Sequence, residues 1–214
     1  MSFLSALPLD PASASVLDLG CGNGSLLFSL RDYGEEEEDE EEDEEVKKGW
    51  TGRMLGVDYS PQSVALAGQI LASSTAEGKN RGDISFREWD LLSGPWAAVL
   101  DGAQAEGWDV VHDKGTFDAI SLSDATDAQG RRICEGYKAR ALRLVRSGGY
   151  FVITSCNWTE PELKAWFAPG DEEIETGGDK FVVEGRVEYR TFSFGGVKGQ
   201  TVTTLCFRRT AATD

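Results

Sequence analysis

The sequence predicts an α/β chain: a doubly wound, mostly parallel sheet with an antiparallel hairpin at its C-terminus. Three observations predict it. Short apolar runs of strand length alternate with segments of helical period between Val16 and Ser155. One of those runs, Val16 to Leu19, leads into a glycine-rich turn, Gly20-Cys21-Gly22-Asn23-Gly24, and then into the start of a helix at Ser25. Two β segments end the chain, Val187 to Phe194 and Gln200 to Arg208, joined by a loop containing Gly195, Gly196 and Gly199. A length of 214 residues suits a single domain, taken as residues 1–214.

Charge and cysteine content narrow the class. The net charge is −16, but Glu35 to Glu45 is an unbroken run of eleven acidic residues, and the remainder carries only −5. The insertion at 35–48, closed by Lys47 and Lys48, is expected to be disordered through self-repulsion; a hook for a basic partner is the sharper alternative. No basic stripe is available to neutralise phosphates, which argues against direct nucleic-acid binding. No apolar run approaches a membrane span, and the leader, residues 1–15, lacks a basic start. Cys21, Cys134, Cys156 and Cys206 are dispersed and read as reduced thiols. No metal is indicated, since His112 is the only histidine and no C-x-x-C pair occurs. The expected location is the cytosol, with the nucleus open, and the expected state a monomer.

In chain order, the helix after the glycine turn runs to about Tyr33. Arg53 to Asp58 is the second strand, ending on an acid, as a ribose-binding strand should. Asp58 comes later than the usual spacing because the acidic insertion lengthens the connection. Ser60 caps the next helix with Pro61 at its first position, and Val64, Ala65, Leu66, Ile70 and Leu71 form its apolar face. Asp83 to Glu88 is the third strand, followed by Trp89-Asp90-Leu91. There Asp90 is placed to accept an adenine amine and Leu91 to pack on the ring; a loop Asp beside a core Trp is the alternative. Residues 95–106 suggest a short helix.

Trp108 to Asp113 is the fourth strand, and Asp113 lies at its C-terminal edge, where open α/β sheets bind ligands. Asp127 to Arg146 reads as a helix ended by Ser147-Gly148-Gly149. Tyr150 to Ser155 is the fifth strand, and Thr159 with Glu162 forms a capping box for a further helix. Residues 169–180 read as a polar loop. His112 reads as structural: a Ser-His-Asp hydrolase would need it, and no G-x-S-x-G elbow accompanies it.

The glycine turn carries most of the functional information. Glycine admits φ > 0 and close approach of a ligand to the backbone, and the helix N-terminus beyond it offers N–H groups to an anion. The spacing is D-x-G-x-G-x-G, with Asp18 two residues before Gly20, not the G-x-G-x-x-G of a dinucleotide enzyme. It resembles the first motif of class I methyltransferases, which bind S-adenosyl-L-methionine (AdoMet). The resemblance implies a Rossmann-like seven-strand fold. It makes Asp18, Gly20, Cys21, Gly22, Asn23, Gly24, Asp58, Tyr59, Ser60, Asp90, Leu91 and Asp113 candidate cofactor contacts.

Further stretches narrow the family: Gly56-Val57-Asp58-Tyr59-Ser60, Asp109 to Ile120 with its D-K-G-T-F-D-A-I block, Ile153 to Thr159, and Phe192 to Gly196. Together they resemble the lysine methyltransferases of translation elongation factor 1A, in particular the group called elongation factor 1A lysine methyltransferase 2. That implies methyl transfer from AdoMet to a lysine of a protein substrate, with elongation factor 1A as partner. Asp113, Phe117, Asn157 and Trp158 are the candidates for the catalytic pocket wall. For Trp158 a core aromatic and for Asn157 simple turn geometry are the alternatives. An AdoMet enzyme acting on another nucleophile, and a non-catalytic paralogue, are the competing readings. Members of that family carry a longer segment before the glycine-loop strand, which helps close the cleft. Fifteen residues stand there in this chain, a departure from the family pattern that bears on AdoMet affinity and activity.

Overall fold

The computed structural model describes residues 2–33, 49–169, 178–189, 192–194, 197–199 and 202–211; the acidic run at 35–48 and most of the 169–180 loop lie outside them. The chain folds as two compact units, Met1–Asp90 and Leu91–Asp214.

The first unit contains a short helix, α1 (Ser2–Ser5), and then β1 (Val16–Leu19), α2 (Ser25–Asp32), β2 (Met54–Asp58), α3 (Pro61–Ala76) and β3 (Ile84–Glu88). Strand order is β3-β2-β1, all parallel. β1 and β2 are buried at every position, so their apolar residues do not alternate with solvent-facing ones, and Asp18 and Asp58 are buried with them. Parallel register sets Asp18 beside Gly56 and Asp58 beside Glu88, so the strand ends carry the acids. α3 begins as expected: Ser60 accepts from the Ser63 N–H at 3.3 Å, with Pro61 in the first turn. Its inward face differs from the expected one. Ala67 and Ser74 are buried, while Leu66 is 48 % exposed and Ala65 is exposed. Positions 67 and 74 lie two helical turns apart on one side, and Ser74 is held there by Arg81, whose Nε donates to its hydroxyl at 2.8 Å.

The second unit contains β4 (Trp108–Lys114), α4 (Thr116–Ser121), α5 (Tyr137–Leu144), β5 (Val145–Ser155), α6 (Glu160–Phe167), β6 (Lys180–Arg186), β7 (Phe192–Phe194), β8 (Val197–Gly199) and β9 (Thr203–Thr210). Strand order is β4-β5-β9-β6, with β4 and β5 parallel and β9 antiparallel to both its neighbours. Three parallel strands in the first unit and four mixed strands in the second make the α/β fold class that the sequence predicts. Residues 95–106 contain two single 3₁₀ turns, Trp96–Ala98 and Gly102–Gln104, where a short helix was expected.

Two expectations here are corrected. The helix expected over Asp127–Arg146 forms only from Tyr137. Asp127 instead closes a tight loop: its carboxylate accepts from the Gln129 N–H at 2.9 Å and the Arg131 N–H at 3.0 Å, and Gly130 turns at φ 78°. Local side-chain acceptors of this kind compete with helix formation. At the other end the chain passes directly into β5 at Val145, where Arg146 pairs with Asp109.

The expected C-terminal hairpin also re-pairs. β9 runs antiparallel to β6, and Phe192–Phe194 forms a separate small hairpin with Val197–Gly199. The strand Lys180–Arg186 starts where the loop expected over 169–180 ends, and Glu184-Gly185-Arg186 breaks its apolar run. The structure absorbs that break as an irregularity between Val183 and Gly185. Phe181 then anchors the strand, stacked on Phe151 with ring centroids 5.4 Å apart.

The core of this unit is aromatic. Phe167 packs on Phe117, Phe151 and Phe207 at 5.1, 5.2 and 5.6 Å between centroids and is fully buried. Its truncation, Phe167→Ala, is expected to lower unfolding free energy in urea by about 3–5 kcal/mol, the usual range for a buried Phe. A loss under about 1 kcal/mol would show that α6 is not part of the cooperative core.

Candidate active site

In the first unit the glycine turn and the end of β2 are joined directly. Gly20, Gly22 and Gly24 all have positive φ, at 69°, 54° and 79°. At Gly24 a Cβ would stand 2.4 Å from the Phe86 ring, so any side chain is excluded. At Gly22 a Cβ would meet nothing within 4 Å, so there the backbone faces open space. The Gly22 N–H donates to Asp58 Oδ2 at 3.1 Å, and the Ser60 N–H donates to Oδ1 at 2.9 Å. Asp58 therefore ties the turn after β1 to the turn after β2, and each of its oxygens keeps acceptor capacity beyond those bonds.

The other candidates of this unit divide by exposure. Asp18 and Cys21 are buried. Burial pushes the Cys21 thiol up to about 12, helped by the charges of Asp18 and Asp58, so it stays protonated at neutral pH. Asn23 is exposed, and its side chain accepts from the Ser25 N–H at 3.2 Å, supporting the start of α2. Tyr59 is 78 % exposed, beside Asp58. Asp90 is exposed, after the buried Trp89.

The second unit holds the remaining candidates and changes what several of them do. Leu91 is buried. Asp113, expected to touch substrate or cofactor, has no exposed surface. Its oxygens accept from the Thr116 N–H at 2.9 Å and the Phe117 N–H at 3.0 Å, and the Tyr137 hydroxyl donates to it as well. Its carboxylate thus serves the first two amides of α4, whose N-cap is Gly115. Burial raises the Asp113 carboxyl to about 6 against the opposing effects of the Tyr137 hydroxyl, His112 and the two amides. Tyr137 is pushed well above the usual phenol range by burial and then by the Asp113 charge, so it remains a donor. Phe117 is fully buried and packs on Tyr137 in the aromatic core. His112 is buried in β4.

Trp158 and Asn157 do lie at a surface. Trp158 is half-buried and Asn157 exposed. Trp158 packs on Phe117 and Trp166, both at 5.9 Å between centroids. Its indole N–H donates to Ser121 Oγ at 3.0 Å and its backbone N–H to Ser155 Oγ at 2.9 Å. Asp118 and Ser155, absent from the sequence-based candidates, hold this loop: Ser155 Oγ donates to Asp118 Oδ1 at 2.5 Å, and the Cys156 N–H donates to Oδ2 at 2.8 Å. The second Asp of the D-K-G-T-F-D-A-I block, in the first turn of α4, was the available signal. Among the described residues no group of His, Cys, Asp and Glu has the arrangement to hold a metal ion, and no helix is long and apolar enough to cross a membrane.

A family model for a methyltransferase domain matches residues 11–196. Protein-lysine N-methyltransferase EFM4 of Saccharomyces cerevisiae is 34 % identical over 195 residues, which is 91 % of this chain and 70 % of that protein. The chain belongs to this methyltransferase family. Human EEF1A lysine methyltransferase 2 is 32 % identical over 199 residues, 93 % of this chain and 67 % of that protein. Among solved structures, magnesium protoporphyrin IX methyltransferase (ChlM) from Synechocystis PCC 6803 shares the fold. Its TM-score is 0.57 at 15 % identity, over 98 % of this chain and 76 % of that one. N-methyltransferase NodS from Bradyrhizobium japonicum WM9 does so at TM-score 0.51 and 15 % identity, over 92 % of this chain and 79 % of that one. The protein is thus an AdoMet-dependent protein-lysine N-methyltransferase with a Rossmann-like α/β fold.

The glycine turn fits that cofactor. Its backbone is open where Gly22 stands, and the Asp58 carboxylate beside it suits ribose hydroxyls.

The Asp113 environment has a pH signature. Its folded value, about 6, lies above its ordinary 3.8. The group therefore favours folding fully below about 4, and that contribution is lost as pH rises through about 6. The stability of the wild type relative to Asp113→Asn is expected to fall between pH 4 and pH 7.5, by on the order of 3 kcal/mol. Urea titrations of both proteins at the two pH values check this; a difference that does not change with pH would contradict it.

Proposed function

We propose that the protein methylates a lysine of translation elongation factor 1A, the whole chain acting as one methyltransferase domain. The similarity to EFM4 and to EEF1A lysine methyltransferase 2, over more than nine-tenths of the chain, supports the choice of substrate. The observation that carries the cofactor side is the Gly22–Asp58 hydrogen bond, which organises an open turn around a carboxylate acceptor.

In this reading the turn from Gly20 to Gly24 and the acid Asp58 hold the cofactor. Asp18, Cys21 and Asn23 support the turn, and Tyr59, Ser60 and Asp90 belong to the same binding region; Leu91, in the second unit, is kept as a candidate for packing on the adenine. When bound, AdoMet supplies a methyl group activated by its sulfonium charge. The chain's own task is to prepare the acceptor. A lysine is a nucleophile only when neutral, and with an ordinary pKa near 10.4 the neutral amine costs about 4.6 kcal/mol at pH 7. An apolar wall lowers that cost by penalising the ammonium form. Trp158, backed by Phe117 and Trp166, offers such a wall to the lysine stem, and Asn157 beside it offers a polar contact. Asp113 acts at one remove, by fixing α4. The remainder is positioning of amine and methyl in line.

Incubation of the protein with AdoMet and elongation factor 1A, followed by peptide mass spectrometry, is expected to show methyl increments on a lysine. Asp58→Ala should raise the AdoMet dissociation constant at least about tenfold, since it removes an acceptor that holds both turn and ligand. Transfer to a small molecule and to no protein lysine would overturn the proposal.

A further inference from the structure

Asp118 lies on α4 and faces away from solvent, with both carboxylate oxygens engaged by one loop. That loop is Ser155-Cys156-Asn157-Trp158, which begins at the last residue of β5 and carries the exposed Asn157 and the half-buried Trp158, both candidates for substrate contact. The bonds form a connected chain. Ser155 Oγ donates to Asp118 Oδ1 and accepts from the Asn157 N–H at 3.0 Å and the Trp158 N–H at 2.9 Å. Cys156 N–H donates to Asp118 Oδ2. Ser121 Oγ donates to the Asp118 carbonyl at 3.0 Å and accepts from the Trp158 indole N–H. Three consecutive backbone amides and one indole thus depend on one carboxylate and two hydroxyls of α4 and β5.

We infer that Asp118, acting through Ser155, is the positioning residue that sets the Trp158 loop in its transfer-competent shape. The inference rests on the proposed role of Trp158 at the target lysine. A carboxylate is needed at this place because two donors, a hydroxyl and an amide, arrive on its two oxygens, and a carboxylate accepts on both. Asparagine offers one oxygen and would set its NH₂ against one of the donors. α4 is itself fixed at its first turn by Asp113, so the loop is referred to a rigid element. A buried carboxylate placed only for stability would leave the reaction indifferent once the protein is folded; one that orients Trp158 would not.

The test uses the full chain labelled with fluorotryptophan, with Asp118→Asn, Ser155→Ala, their double variant, and Ser121→Ala as the mildest change. Trp158→Phe assigns the Trp158 fluorine resonance among those of the six tryptophans. In Asp118→Asn and Ser155→Ala the Trp158 resonance is expected to shift or broaden, while those of Trp50, Trp89, Trp96 and Trp108, outside this aromatic cluster, stay in place. With the protein substrate, kcat should fall at least about tenfold while the AdoMet dissociation constant changes less than about twofold. The double variant should be no slower than the slower single one, because both changes break one unit. An unmoved Trp158 resonance in folded Asp118→Asn would overturn the inference, as would a moved resonance with kcat within twofold of wild type or losses that simply multiply. If Asp118→Asn does not fold, Ser155→Ala and Ser121→Ala decide by the same readings. If the wild type methylates no protein lysine, the proposed function fails, and the fluorine spectra still decide whether Asp118 orients the loop.

Discussion

The pairing of acids at strand ends with the backbone amides that follow them is the constraint on which the functional regions depend. A parallel strand ends at the sheet edge and leaves the next few N–H groups without ladder partners, and burying such groups unpaired costs about 1–3 kcal/mol each. This protein answers with carboxylates. Asp58 serves the turns after β1 and β2, and Asp113 serves the first turn of α4. Each fixes a loop at the edge where α/β sheets place their ligands.

The two acids are not equivalent. Asp58 spends each oxygen on one amide, beside a glycine whose outer side is open. Asp113 is sealed beneath the aromatic core and receives a phenol as a third donor. The first arrangement leaves a carboxylate able to accept from a ligand. The second makes a rigid joint, and its burial appears as the upward displacement of the Asp113 carboxyl. The proposed function uses both: an open carboxylate as the acceptor proposed for the donor molecule's ribose, and a stiff support beneath the surface proposed to meet the lysine.

Much of this was legible in the sequence, for reasons that are local. The glycine spacing, the acid ending β2, the Ser60–Pro61 helix start and the Thr159–Glu162 capping box each lie within a few residues, and each formed as expected. What was not legible depends on contacts distant in sequence. Phe181 joins β9 because Phe151 and Phe207 wait for it, which no property of Lys180–Arg186 announces. Asp113 was expected at the site from its place at the C-terminal edge of β4; that Tyr137, 24 residues on, closes over it is a contact only the fold supplies. Asp118 reaches Ser155 across 37 residues, a bond that only the fold reveals.

The central claim is that the glycine turn and Asp58 form a site for AdoMet and not for a dinucleotide. Calorimetric titration of the protein with AdoMet and, separately, with NAD tests it most directly. The account predicts saturable binding of AdoMet and none of NAD. Binding of NAD with no heat from AdoMet would contradict it.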